Sequence, residues 1–142
     1  MDYSNKYVPK SLSEKDKKLQ IKQLKKSADD YKKGKYTPRK KLKSFKSKTS
    51  NYILEVRKTL GVPMNFEKIS KKLSSSKDKQ KKLITGMEEI CDKGKAAYYS
   101  SGSRPNQNPF SWCKSRVASV LVGGPSRKID KKIVDKYNIP KI

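Results

Sequence analysis

A chain of 142 residues with 32% hydrophobic residues has the length of one ordinary domain but too little apolar material for a large core. Its 37 basic and 13 acidic residues give a net charge of +24, which predicts a negatively charged partner. The sequence has no histidine, which excludes the usual general base and the commonest zinc ligand. It also has no apolar run long enough to cross a bilayer.

The first predicted region, residues 1–35, is a basic arm. Its first ten residues are expected to be extended, and a capping box of Ser11 and Glu14 begins a long helix that ends near Gly34. Because the apolar face of this helix is thin, the helix needs a neighbour to lie on. Four tyrosines in or just after the arm are predicted to anchor it in grooves of a partner: Tyr3, Tyr7, Tyr31 and Tyr36.

The strongest helical pattern in the sequence begins after the arm. Thr37 can cap this helix, Pro38 fits its first position, and apolar residues recur at steps of three and four until Gly61 ends it. Its amino-terminal half has no acid and is predicted to present a basic ridge that binds anions or an acidic partner. The ridge consists of Lys35, Arg39, Lys40, Lys41, Lys43, Lys46 and Lys48.

Two more helices are predicted to form a helical hairpin. Asn65 can cap the first, and the polar run "SSSKDKQKK" connects it to the second, which ends near Gly94. Although such a pair resembles a helix-turn-helix, the outward Glu88 and Glu89 of the second helix would repel phosphates. The hairpin is therefore interpreted as part of a small bundle.

The stretch "AAYYSSGSRPNQNPFSW" at 96–112 is the least lysine-rich part of the chain and predicts a rigid corner. Glycine and proline fix the backbone, amide side chains close the turn, and large aromatic side chains seal a small core. Arg104, between serines, fits a phosphate or carboxylate site, but loop arginines also bond nearby carbonyls or acids. The structural corner consists of Tyr98, Tyr99, Gly102, Pro105 and Trp112.

The last part of the chain is predicted to be helical as well. Pro109 begins a helix whose apolar face includes Phe110, and "GGP" at 123–125 ends it. Ser126 is expected to cap a last helix that carries Ile129 on its apolar face. No segment has the alternating pattern of a strand.

These elements predict an all-α fold, a small irregular helical bundle with a basic, partly extended amino-terminal arm. The arm is residues 1–35, the helical domain is residues 36–137, and a short tail follows at 138–142.

Catalytic and metal sites are not predicted. A carboxylate, lysine or cysteine nucleophile would need an orienting partner, and the sequence offers none, so we expect no enzyme activity, no cofactor and no small-molecule substrate. Cys91 and Cys113 lack the paired spacing of a metal site. The two cysteines could form one disulfide, but buried, reduced thiols are favoured, since no signal peptide precedes them. Arg116 joins Arg104 as a predicted anion- or partner-binding residue.

Several short stretches of the sequence form a recognisable series: "YTPR" at 36–39, "AAYYSSGSRP" at 96–105, Trp112, Arg116–Val117 and "SVLVGG" at 119–124, with Asp130 beyond. This series resembles a poorly characterised domain family of large eukaryotic DNA viruses and some phages. The resemblance covers residues 36–137 and implies a virally encoded helical module with no known reaction.

Two functions fit this sequence. The favoured one is a minor capsid or cement protein, which uses its basic arms and helical core to fasten acidic surfaces of neighbouring virion proteins. The alternative is sequence-nonspecific binding or packaging of DNA or RNA through the phosphate backbone. Synthesis in the host cytoplasm and location in the virion are expected. The run "PRKKLK" at 38–43 resembles a nuclear import signal, which a basic helical face explains equally well.

Overall fold

The computed structural model describes residues 3–142. Within these residues there is no strand, so the predicted all-α fold is confirmed. None of the described helices is long and apolar enough to span a membrane. The helices are α1 (Glu14–Lys32), α2 (Asn51–Leu60), α3 (Phe66–Leu73), α4 (Lys77–Ser100), α5 (Pro109–Val122), α6 (Pro125–Ile129) and α7 (Lys131–Tyr137).

The chain divides into two compact units. The amino-terminal unit comprises Met1–Lys48 and Lys95–Trp112, and the core unit comprises Thr49–Gly94 and Cys113–Ile142. Both units are therefore built from two separate stretches of sequence. The predicted division into an arm, a helical domain and a tail, with boundaries at residues 35 and 137, stays a prediction.

Helix α1 is the main element of the amino-terminal unit. The Ser13 hydroxyl accepts a hydrogen bond from the Asp16 backbone N–H at 3.2 Å, so the predicted capping box of Ser11 and Glu14 is wrong by two residues. Leu12, two residues before the start of α1, is buried. The expected extended start is also wrong in part, since residues 5–7 form a turn; Met1 and Asp2 lie outside the described residues.

The predicted helix from Pro38 is wrong in its first half, because residues 33–50 contain no helix and α2 begins only at Asn51. The Thr37 hydroxyl donates to the Asp30 carboxylate of α1 instead of capping a new helix. A helix over residues 38–48 would also crowd six basic residues without an acid onto about three turns. The second half is confirmed, and Gly61 ends α2 with φ +68°.

The hydrophobic core lies in the core unit. Helix α3 is confirmed, with the Asn65 side chain accepting from the Lys68 N–H at 2.9 Å. Helix α4 differs from the prediction at both ends, because it starts within the polar run at Lys77 and continues through Gly94. The buried apolar residues of this core are Ile53, Val56, Met64, Ile69, Leu83, Met87, Ile90, Cys91, Cys113, Val117, Ala118, Val120, Leu121, Ile133, Val134 and Ile139.

Gly94 of α4 lies close to the backbone of α5. A Cβ atom at this position would lie 3.0 Å from the Cα of Cys113, so only glycine permits this spacing without a shift. The same approach brings Cys91 and Cys113 together in a disulfide, and the expected pair of reduced thiols is wrong. Both cysteines are buried, as expected.

The carboxyl-terminal helices differ from the prediction in one respect. Gly123, with φ +80°, ends α5 as predicted, but the single last helix is broken at Asp130 into α6 and α7. Ser126 lies inside α6 instead of capping it, and Ile129 is 68% exposed. Phe110, predicted to be in the core, is 64% exposed.

Candidate anion-binding surface

The candidate site is the basic segment, residues 35–48, in the amino-terminal unit. It is irregular, and its lysine side chains are exposed. None of these lysines forms an ion pair with an acid among residues 3–142. The exposed lysines are Lys35, Lys40, Lys41, Lys43, Lys46 and Lys48.

Two amide side chains fix the backbone of the basic segment. The Gln23 side chain accepts from the Lys40 N–H at 2.6 Å and donates to the Lys40 carbonyl at 3.3 Å. The Asn106 side chain accepts from the Leu42 N–H at 2.6 Å and donates to the Leu42 carbonyl at 3.2 Å. It also donates to the Phe45 carbonyl at 2.7 Å. Each amide thus pairs with both backbone groups of one residue, as a neighbouring strand would.

A third attachment lies further along the segment. The Asp16 carboxylate of α1 accepts hydrogen bonds from the backbone N–H and the hydroxyl of Ser44, and these bonds lower the pKa of Asp16. Leu42 is only 3% exposed, whereas Lys41 and Lys43 on either side of it are exposed. The segment is therefore anchored by its apolar residue and presents its lysines to solvent.

Arg39 differs from the lysines around it, because its guanidinium faces the interior of the unit. It donates to the hydroxyls of Ser27 at 3.0 Å and Ser103 at 2.8 Å. Its central carbon lies 3.7 Å from the ring centroid of Tyr98, a close cation–π contact. Burial lowers the pKa of Arg39, and the same burial raises the pKa of Tyr98.

The residues of the predicted corner all lie in the amino-terminal unit. The buried Tyr98 donates its hydroxyl to the Gln107 carbonyl at 3.1 Å. Gly102 has φ +101°, a backbone conformation that favours glycine. A Cβ atom there would also lie 2.9 Å from a methyl group of Leu24, so the close packing favours glycine as well. Pro105 is also buried.

The predicted aromatic anchors are mostly used within the unit itself. The rings of Tyr7 and Trp112 meet edge to face with their centroids 6.1 Å apart. Tyr3 is partly buried, and this burial raises its pKa. Tyr31 stacks parallel to Tyr99 at 6.3 Å. Tyr36 is the exposed member of the four predicted tyrosine anchors.

Two predicted cations lie outside the basic segment. Arg104 is exposed beside Lys6, whose pKa is lowered first by burial and then by the charge of Arg104. Arg116 lies in the core unit and donates two hydrogen bonds of 2.8 Å to the Asp130 carboxylate, which is fully buried. The charge of Arg116 is thus compensated, while that of Arg104 adds to the amino-terminal unit.

Sequence reasoning missed the side chains that position the basic segment. Asn106 was expected to close its own turn, but its partners are 61 and 64 positions away. Gln23 and Asp16 carried no local signal beyond their place on one helix. Long-range amide–backbone pairing has no periodicity, and only the three-dimensional structure reveals it.

The core unit has an open groove of about 490 Å³ between α3 and α4. Acidic and basic side chains both line it, among them Glu67, Glu88, Lys71 and Lys81, so its charge favours no particular ligand. Residues 3–142 contain no group of three or more metal-ligating side chains.

Comparison with known families supplies one finding. A family described as a family of unknown function, DUF5824, matches residues 5–137. The chain belongs to the DUF5824 family. The DUF5824 match begins within the predicted arm and therefore includes α1. Searches of curated proteins and of solved structures each gave no match.

Proposed function

We propose that the protein binds nucleic acid through its phosphate backbone, without reading the base sequence. The supporting observation is the basic segment: six exposed lysines on a backbone that side-chain hydrogen bonds hold in place, with no acidic partner among residues 3–142. Lysine is a mobile point charge that binds phosphate but discriminates poorly between bases. Such a surface gains its affinity by releasing counterions from the nucleic acid.

The arginines support binding without base recognition. Base reading relies on the planar guanidinium fork, and the protein has only five arginines. Arg39 is engaged with serine hydroxyls and a tyrosine ring, and Arg116 is engaged with a buried carboxylate. The cations that remain available are mainly lysines.

Fastening of acidic virion proteins is the second candidate. The exposed Phe110 at the start of α5 favours it, since an aromatic side chain of this kind anchors protein interfaces. Against it, Tyr7 and Tyr31, two of the tyrosines expected to insert into a partner, pack within the unit. The viral origin and the place in a virion belong to this candidate.

Salt dependence tests the proposed function. Fluorescence anisotropy of a labelled duplex of about 20 base pairs should show log affinity falling with log salt by about 0.9 per neutralised phosphate. A triple variant, Lys40→Ala, Lys41→Ala and Lys43→Ala, should reduce this slope by about 2 to 3.

A matched variant provides the control. Replacing the exposed Lys68, Lys72 and Lys82 of the core unit by alanine removes the same charge from another surface. We expect this variant to keep most of the salt slope. Equal slopes for the two variants would contradict the assigned surface. No duplex binding at physiological salt would favour docking to acidic proteins instead.

A further inference from the structure

One aromatic side chain of the amino-terminal unit is exposed beside the basic segment. Tyr36 is 68% exposed, although its ring centroid lies 5.2 Å from that of Tyr99 and 6.1 Å from that of Tyr31. The three rings form an aromatic cluster at the start of the basic segment. A tyrosine that only completed this cluster would bury most of its ring, so the exposed part of Tyr36 is available to a ligand.

The backbone around Tyr36 is fixed on both sides. The Lys35 N–H donates to the Asp30 carbonyl at 2.8 Å, and the Thr37 hydroxyl donates to the carboxylate of the same residue. Tyr36 is therefore presented by an anchored backbone and supported by two further rings. A preorganised aromatic surface of this kind loses little conformational entropy when a flat ligand stacks on it.

The charge around Tyr36 indicates which flat ligand fits. From residue 31 to residue 48 the chain has nine basic residues and no acid, and the preceding acid, Asp30, has its carboxylate bonded to the Thr37 hydroxyl. The exposed Lys32, Lys33 and Lys35 precede the ring, and the lysines of the basic segment follow it. A flat ligand that also carries negative charge is therefore favoured at this ring.

We infer that Tyr36 is a stacking site for an unpaired base and that the protein prefers single-stranded to duplex nucleic acid. This inference rests on the proposed function and adds the substrate class. A base within a duplex is already stacked and cannot lie on a protein ring, whereas an unpaired base can. Stacking tolerates any base, because every base has a π face, so it adds affinity without adding sequence recognition.

The test compares a labelled single strand of about 20 nucleotides with its duplex, using anisotropy at fixed salt. The wild-type protein should bind the single strand more tightly. Tyr36→Ala should weaken single-strand binding by about 5- to 150-fold, the range for losing one base–aromatic stack, and should change duplex binding by less than about 2-fold. The salt slope should stay unchanged, because no cation is removed.

Two further variants separate stacking from apolar contact and from loss of fold. Tyr36→Phe should retain single-strand binding, whereas Tyr36→Leu, which is apolar but not aromatic, should lose it. Since Tyr36 is mostly exposed, all three variants should keep the circular dichroism of the wild type. Equal losses for single strand and duplex, or no loss for either, would overturn the stacking site and leave backbone binding intact. No binding of either nucleic acid would overturn both proposals.

Discussion

Removal of the Arg116 side chain should strongly destabilise the core unit. Its guanidinium makes the only two hydrogen bonds to the Asp130 side chain within residues 3–142, and that carboxylate is fully buried. Arg116→Met therefore leaves a buried charge without a partner, which costs about 3–5 kcal/mol. Because a domain of this size is stable by about 5–15 kcal/mol, the loss is a large share of the total. The thermal midpoint should fall by about 6–20 °C.

Urea unfolding followed by far-UV circular dichroism measures this effect, and an exposed pair supplies the control. Lys131→Met breaks the exposed ion pair with Asp135 and should cost less than about 0.5 kcal/mol. Replacing both Arg116 and Asp130 by apolar residues removes both charges and should recover most of the loss. If Arg116→Met costs no more than Lys131→Met, or if the double variant is as unstable as the single one, the argument from buried charge is refuted.

Three more predictions concern other contacts. Gly94→Ala gains up to about 1 kcal/mol of helix propensity but places a Cβ 3.0 Å from the Cα of Cys113. Calorimetry should therefore show a net decrease of about 1–2 kcal/mol in the free energy of unfolding. A stabilised variant would contradict the close approach. The double variant Cys91→Ser, Cys113→Ser removes a disulfide that spans a sequence separation of 22. Urea unfolding should show a decrease of about 3 kcal/mol in the free energy of unfolding. Unchanged stability would argue against the bond. The folded pKa of Asp16 lies below its ordinary value of 3.8, so its hydrogen bonds to Ser44 stabilise the fold above that value and are lost as pH falls through the folded pKa. Asp16→Asn should therefore lose less stability than the wild type between about pH 5 and about pH 2, and equal losses would count against this contact.

Local signals predicted several helix ends, although not those of α4 and α7. Asn65 caps α3, Pro109 starts α5, and Gly61 and Gly123 end their helices, because caps and positive φ angles depend on residues adjacent in sequence. Gly102 also has a positive φ angle, which the sequence indicated for the same reason.

Non-local contacts account for the errors. The apolar spacing of residues 42–56 fits a helix, but the amide of Asn106 binds the backbone of Leu42 and competes successfully with helical hydrogen bonds. Likewise, nothing adjacent to Cys91 indicates that Gly94 brings the next helix near enough for a disulfide. The lysines of the candidate surface were identified from sequence, but their placement on an irregular segment was not.

The composition of the amino-terminal unit has a consequence for synthesis on the ribosome. Its two parts are separated in sequence, so the basic segment emerges 64 residues before Trp112, the last residue of the unit. At about 5–20 residues per second, translation leaves the segment without Asn106 and the tyrosine corner for about 3–12 s. During that interval the hydrogen bonds from Asn106 that hold Leu42 and Phe45 cannot form. A chain that stops at Gly94 can complete neither unit, since each requires residues beyond that point.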